Sequence, residues 1–173
     1  MRLGTGVRRS LLLVHILTSV GMMGAIASFF ALAWWGLADA PSGPTVYPAM
    51  NAITQVLIVP LAFVSLLIGT IQALGTQWGL FRHYWVVVKL GLTLIVLVVL
   101  LLQTANIALL AGQSAATLAL PEWANTRFSM VLHAGGGFVV LGLALVLSVY
   151  KPKGFTPYGW RRRREQDGGV AQT

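Results

Sequence analysis

Residues 75–90 read GTQWGLFRHYWVVVKL, and the interpretation of the whole chain turns on them. Within these residues lie the aromatics Trp78, Phe81, Tyr84 and Trp85, together with Arg82, His83 and Lys89. Long apolar runs flank the stretch on both sides. Aromatic rings and cations gathered between two apolar runs mark a membrane–water interface. The flanking runs are therefore read as membrane spans, and residues 75–90 as the connector between the second and third.

Composition agrees. The 173 residues are 57% hydrophobic and only 9% charged, where a soluble domain carries about 25% charged residues. Four apolar runs exceed the ~18 residues needed to cross a bilayer, which leaves no room for a second domain. The expected spans are residues 10–37, 48–74, 84–111 and 128–150, so 1–150 is one bundle and 151–173 a basic, mostly disordered tail. A basic arm ahead of an apolar run resembles a secretory leader. A leader's apolar core is about 7–15 residues, and Ser10 to Leu37 is far longer. Pro48 is expected to open the second span. Pro60 is expected to kink it and free the Val56 carbonyl. The chain has no cysteine, which removes disulfides and thiolate chemistry.

Charge sets orientation. Of the 12 Lys and Arg, three lie in the N-terminal arm (Arg2, Arg8, Arg9), two at the connector and six in the tail; only Arg127 lies in the other loops. By the positive-inside rule both termini and the connector face the cytoplasm. The fold class is thus all-α: a transmembrane four-helix up-down-up-down bundle with cytoplasmic N and C termini. The net charge of +8 is accounted for by topology, so it does not indicate nucleic acid. The Arg161–Arg164 run suits contact with anionic lipid.

Apolar burial cannot drive helix pairing in lipid, so small and polar positions are the informative ones. On the second span Asn51, Gln55, Ile58, Ala62, Ser65, Gly69 and Gln72 share a face expected to point inward. Thr18, Gly21, Ala25 and Ser28 form such a face on the first span, with His15 at its cytoplasmic end. Lys89, Thr93 and Gln103 do so on the third. His133, Gly137, Val140, Ala144 and Ser148 do so on the fourth. Ionisable groups within spans are functional candidates by default, and here they are His15, Lys89 and His133. His15 and Lys89 both lie about 7–8 Å below the inner surface, whereas His133 lies about 25 Å above it. His15 and His133 therefore do not share a metal. His15 and Lys89 can face one inner-leaflet pocket, with His83 or Arg82 as a lid. Each also has a packing role open to it: Lys89 can snorkel to the headgroups, His15 can bond a neighbouring backbone, and Gly135–Gly137 after His133 admits a close helix or a flat ring. None of the acids Asp39, Glu122, Glu165 and Asp167 lies within a span. Catalytic residues are not assigned.

The segments LLLVHILTSVGMMGA, GTQWGLFRHYWVVVKL and HAGGGFVVLGLALVLSVYKPKG resemble a family of uncharacterised bacterial four-helix membrane proteins. More distantly, the chain is similar to the membrane-bound protoporphyrinogen oxidase of bacteria and to copper-resistance D-type proteins. The matching points are His15, Lys89 and the closing Lys151-Pro152. That resemblance implies a multi-pass protein of the bacterial inner membrane. It also implies His15 as an axial haem ligand, the one metal contact, and Lys89 as partner to a propionate or substrate carboxylate. Where the oxidase pattern has a further histidine late in the third helix, this chain has Gln103.

The leading reading is a cytoplasmic-leaflet pocket, lined by His15, Lys89 and His83, for haem, a quinone or a related flat anionic ligand, with a redox or carriage role. Whether it is an enzyme is left open. One alternative is a structural or accessory subunit with no active site, working with a membrane partner or as a homo-oligomer. Another is a small transporter or channel. His133 with Glu122 as a copper or zinc site is a fourth.

Overall fold

The computed structural model describes residues 4–76 and 79–170, the side chains of 166–170 excepted. Arg2, Trp78 and the side chain of Asp167 lie outside these described residues. Four stretches are long and apolar enough to cross a membrane: Thr5–Ala38, Ala40–Gly75, Tyr84–Ala111 and Pro121–Tyr150. In chain order the helices are α1 (Thr5–Ala38), α2 (Gly43–Ile53), α3 (Val59–Gly75), α4 (Tyr84–Ala111), a single turn α5 (Ala115–Leu118), α6 (Ala124–Tyr150) and α7 (Pro157–Val170). No strand occurs among the described residues, so the fold is all-α. The long helices form one bundle. α1 packs on α2, α3 and α6, and α4 packs on α2, α3 and α6, so α1 and α4 sit on a diagonal.

The contacts order the helices along their length. His15 meets Gly69 at one end of α1, and Gly36 meets Tyr47 at the other. Phe30 meets Gly135, and the Gly36 carbonyl accepts from Arg127 Nη1 at 3.5 Å. The end that holds the 75–83 connector is called the connector end below, and the opposite one the loop end. At the loop end the buried core is dense. Tyr47, Met50, Leu110, Leu118 and Met130 are each at most 1% exposed.

The second span departs from the expected pattern. It begins at Gly43 rather than Pro48, with Pro44 in its first turn and Pro48 inside the helix on an exposed position. Pro44 already supplies the preset φ that suits a first turn. Pro48 then removes only one early hydrogen bond, to the Pro44 carbonyl. Ahead of Pro60 the chain makes a π turn, Thr54–Ile58. A wide turn adds one residue to the cycle, so the inward face shifts by one position. Gln55, expected inside, is exposed, and Thr54 is fully buried with its hydroxyl on the Met50 carbonyl at 2.8 Å. From Ile58 onward the expected face holds: Ile58, Ala62 and Ser65 are buried.

On α1, Thr18 and Ala25 are buried, but Gly21 and Ser28 are exposed. Ser28 returns its hydroxyl to the Gly24 carbonyl at 3.0 Å. A serine that satisfies itself on its own helix has no need of a neighbour. Met22, Ile26 and Phe29 fill the face instead.

Within the tail, where disorder was expected, residues Pro157–Val170 form a helix. α6 ends on Lys151 in the left-handed region, φ 42°. Residues 152–156 then run beside the connector. The Tyr84 N–H donates to the Gly154 carbonyl (3.4 Å), and the Thr156 N–H to that of Arg82 (3.1 Å). The Thr156 hydroxyl donates to the Phe81 carbonyl and accepts the Gly159 N–H at 3.1 Å, capping α7. A Cβ on Gly159 would lie 2.2 Å from the Arg82 carbonyl oxygen, so α7 starts in direct contact with the connector backbone. Low hydrophobicity argues for disorder, but this docking uses backbone groups, one glycine and the side chains of Thr156 and Phe155, a local arrangement that mean composition does not show.

Candidate ligand site at the connector end

His15 comes from α1, and its ring lies against α3. A Cβ on Gly69 would sit 3.1 Å from its Cε1, so glycine lets the imidazole lie close to the backbone without displacement. One turn from the ring, Ser19 and Ser65 share a hydrogen bond at 2.9 Å that ties α1 to α3. Thr18 turns its hydroxyl onto the Val14 carbonyl at 2.9 Å, and the His15 ring finds its partner in the Ser65 backbone of α3. Lys89 comes from α4 across the diagonal, yet its ammonium lies within electrostatic range of the His15 ring. Both residues are half-buried.

α4 packs more closely on α2 than on α3, so α3 draws away from α4 toward the connector end. Lys89 lies on the connector half of α4. Its neighbour Thr93 hydrogen-bonds back to the Lys89 carbonyl at 2.9 Å and does not reach the ammonium. Among the described residues His15 Nδ1 and Gln72 Nε2 are buried without a hydrogen-bond partner. Gln72 lies one turn beyond Gly69 on the same helix. A buried unmade hydrogen bond costs about 1–3 kcal/mol. An imidazole, an ammonium and an amide donor thus share the connector end, and the chain places no carboxylate in any of the four long helices.

His83 is placed differently. Its ring stacks on Phe155 at 4.8 Å with a 40° tilt, and it pairs with that residue in an isolated bridge. Phe155 also meets Trp160 at 5.5 Å, and the guanidinium groups of Arg163 and Arg82 lie 5.5 and 6.0 Å from its centroid. The structure therefore joins His83 and Arg82 to the tail, as the seat on which Phe155 rests. A cleft lined by Tyr84, Phe155, Trp160, Arg161 and Arg164 opens beside this seat.

His133 belongs to the other half of the bundle. Its Nδ1 lies 2.7 Å from the Ser129 carbonyl, which can only accept, so Nδ1 carries the hydrogen. Nε2 then accepts from the Gln103 amide at 3.2 Å, and Gln103 Oε1 accepts from Asn106 at 2.9 Å. This link between α4 and α6 was not readable from spacing, because sequence carries no register between two helices. Glu122 is exposed near the start of α6. No group of three or more His, Asp or Glu that could hold a metal comes together among the described residues. No protein-family model, curated protein or solved structure matches the chain.

Proposed function

We propose that this is a multi-pass protein of the bacterial inner membrane that binds a flat, lipid-soluble molecule through an anionic group, at the site formed by His15, Lys89 and Gln72. The paired contacts along α1 support an up-down-up-down order, and the clustering of cations supports cytoplasmic termini. The basic α7 with its aromatic seat is suited to anionic headgroups. One observation carries the ligand reading: a lysine and a histidine of the connector end lie within electrostatic range of each other, and no acidic residue lies in α1 to α6 to balance them. A cation within a membrane span without a counter-ion is costly, and an anion from outside the chain removes that cost. Haem, which the resemblance implies, would take His15 at iron and Lys89 at a propionate, and would supply one-electron chemistry. The unpartnered His15 nitrogen and the adjacent ammonium fit that division of roles.

The test is the absorption spectrum and bound-ligand mass of detergent-purified protein. Wild type carries an anionic ligand that Lys89→Met and His15→Ala each lose, and a Soret band identifies it as haem. Retention of the same ligand by Lys89→Met overturns the reading. A colourless protein after expression with excess haem removes the haem version alone.

A further inference from the structure

A cavity of about 330 Å3 lies between α1, α3, α4 and α6, and neither His15 nor Lys89 lines it. Gln103 and Lys89 are 14 residues apart on one helix, about 21 Å along its axis. The walls of the cavity are apolar, and its polar lining residues are Gln103 and His133. We infer that this cavity is a second site, for a neutral lipid-soluble ring bearing carbonyl oxygens, of the quinone class. It is independent of the reading given for the connector end.

The first argument is the glycine run. Glycine inside a helix costs roughly 1 kcal/mol relative to alanine. Gly135 has a reason to be there, since a Cβ would meet Phe30 at 3.1 Å. Gly136 and Gly137 have none within the chain: a Cβ on either meets nothing within 4 Å. Both line the cavity. The helix gives up side chains where the chain itself puts nothing in their place. The vacated surface is flat backbone, which suits the face of a ring.

The second argument is the polar group at the wall. The His133 ring is committed to Ser129 and Gln103, and the Gln103 carbonyl to Asn106. An amide nitrogen has two hydrogens, and the bond to His133 uses one. The other is a neutral donor at an otherwise apolar wall. A neutral donor among apolar walls selects an uncharged acceptor, such as a ring carbonyl, and rejects a carboxylate. Met22, Met130 and Phe29 supply thioether and aromatic contacts around the same space, and both favour a flat π system. The volume lies within the ~300–1,000 Å3 range of small-molecule sites. Leu132, Ile95 and Gly136 line the cavity and are exposed on the bundle surface, giving an isoprenoid tail a way out into lipid. An acyl chain would use the walls but leave the Gln103 donor unmatched.

The experiment measures saturable binding of a short-chain benzoquinone to nanodisc-held protein by equilibrium dialysis, with melting temperature as the folding control. Wild type binds one equivalent. Gly137→Leu, which has open space ahead of it, melts no lower than wild type and binds at least tenfold more weakly. Gln103→Leu binds about fivefold more weakly, the loss of one neutral hydrogen bond. Lys89→Met binds as wild type does, which separates this cavity from the connector end. The inference is overturned if wild type shows no saturable binding, if folded Gly137→Leu binds with unchanged affinity, or if native mass spectrometry finds the quinone failing to displace a phospholipid.

Discussion

Replacing Gly159 by alanine sets two physical effects against each other. Alanine is the better helix former by about 1 kcal/mol, so on propensity alone α7 gains. The structure reverses the sign. The new Cβ would lie 2.2 Å from the Arg82 carbonyl oxygen, where a carbon and an oxygen in contact sit at about 3.3 Å. The start of α7 must therefore move by about 1 Å, and the atom in its way is backbone. That shift strains three bonds: Thr156 N–H to Arg82, the Thr156 hydroxyl to Phe81, and Tyr84 N–H to Gly154. At about 1 kcal/mol each, less the propensity gain, the net loss is about 2 kcal/mol, or roughly a 30-fold rise in the undocked fraction. Trypsin reads that fraction at Arg161–Arg164, because cleavage of a transiently opened segment follows its population. Gly136→Ala is the matched control: its Cβ meets nothing within 4 Å, so the protein should melt slightly higher with unchanged tail cleavage. A Gly159→Ala rate within threefold of wild type would refute the docking argument, and so would equal acceleration in both variants.

Other consequences are smaller. Tyr47 is 1% exposed and its hydroxyl has no partner among the described residues, so Tyr47→Phe should leave the melting temperature unchanged or raise it. Ser19→Ala and Ser65→Ala should show a coupling near 0.6 kcal/mol in a double-mutant cycle, the usual worth of an interhelical bond in lipid; additive effects would mean that the 2.9 Å contact contributes nothing. Arg127 donates to the Gly36 carbonyl near the C-terminus of α1, and a cation there is worth about 0.3–1 kcal/mol; Arg127→Gln should lower stability by that much, and a neutral result removes the capping role. Met50→Ala should cost about 2–5 kcal/mol, since the side chain is fully buried in the loop-end core, and a smaller loss would mean that the core collapses around the gap.

Much of the fold was legible because lipid makes hydropathy decisive. A helix that crosses a bilayer must satisfy every backbone group within itself, so four long apolar runs can only be four long helices. The third span, 84–111, coincides with α4. The inward face from Ile58 to Ser65 was readable from small residues alone. What misled the periodicity was a single extra residue: the π turn at Thr54–Ile58 exchanged Gln55 for Thr54, and no composition marks where a helix widens. The helix in the tail went unread for a different reason, because its docking rests on a few local contacts, Thr156 on the Arg82 and Phe81 carbonyls and Phe155 on His83, that mean composition does not reveal.

The candidate site divides along the same line. Sequence identified His15 and Lys89 as basic groups at equal height, because depth depends only on counting along a rigid rise of 1.5 Å per residue. Direction around the helix axis is a matter of packing. Tertiary structure alone decided that the His15 ring lies against Gly69 of α3, that His83 belongs to the tail, and that Gln103 and His133 join α4 to α6 beside a cavity. Counting places a residue along its own helix, but only the neighbouring helices decide which way it points.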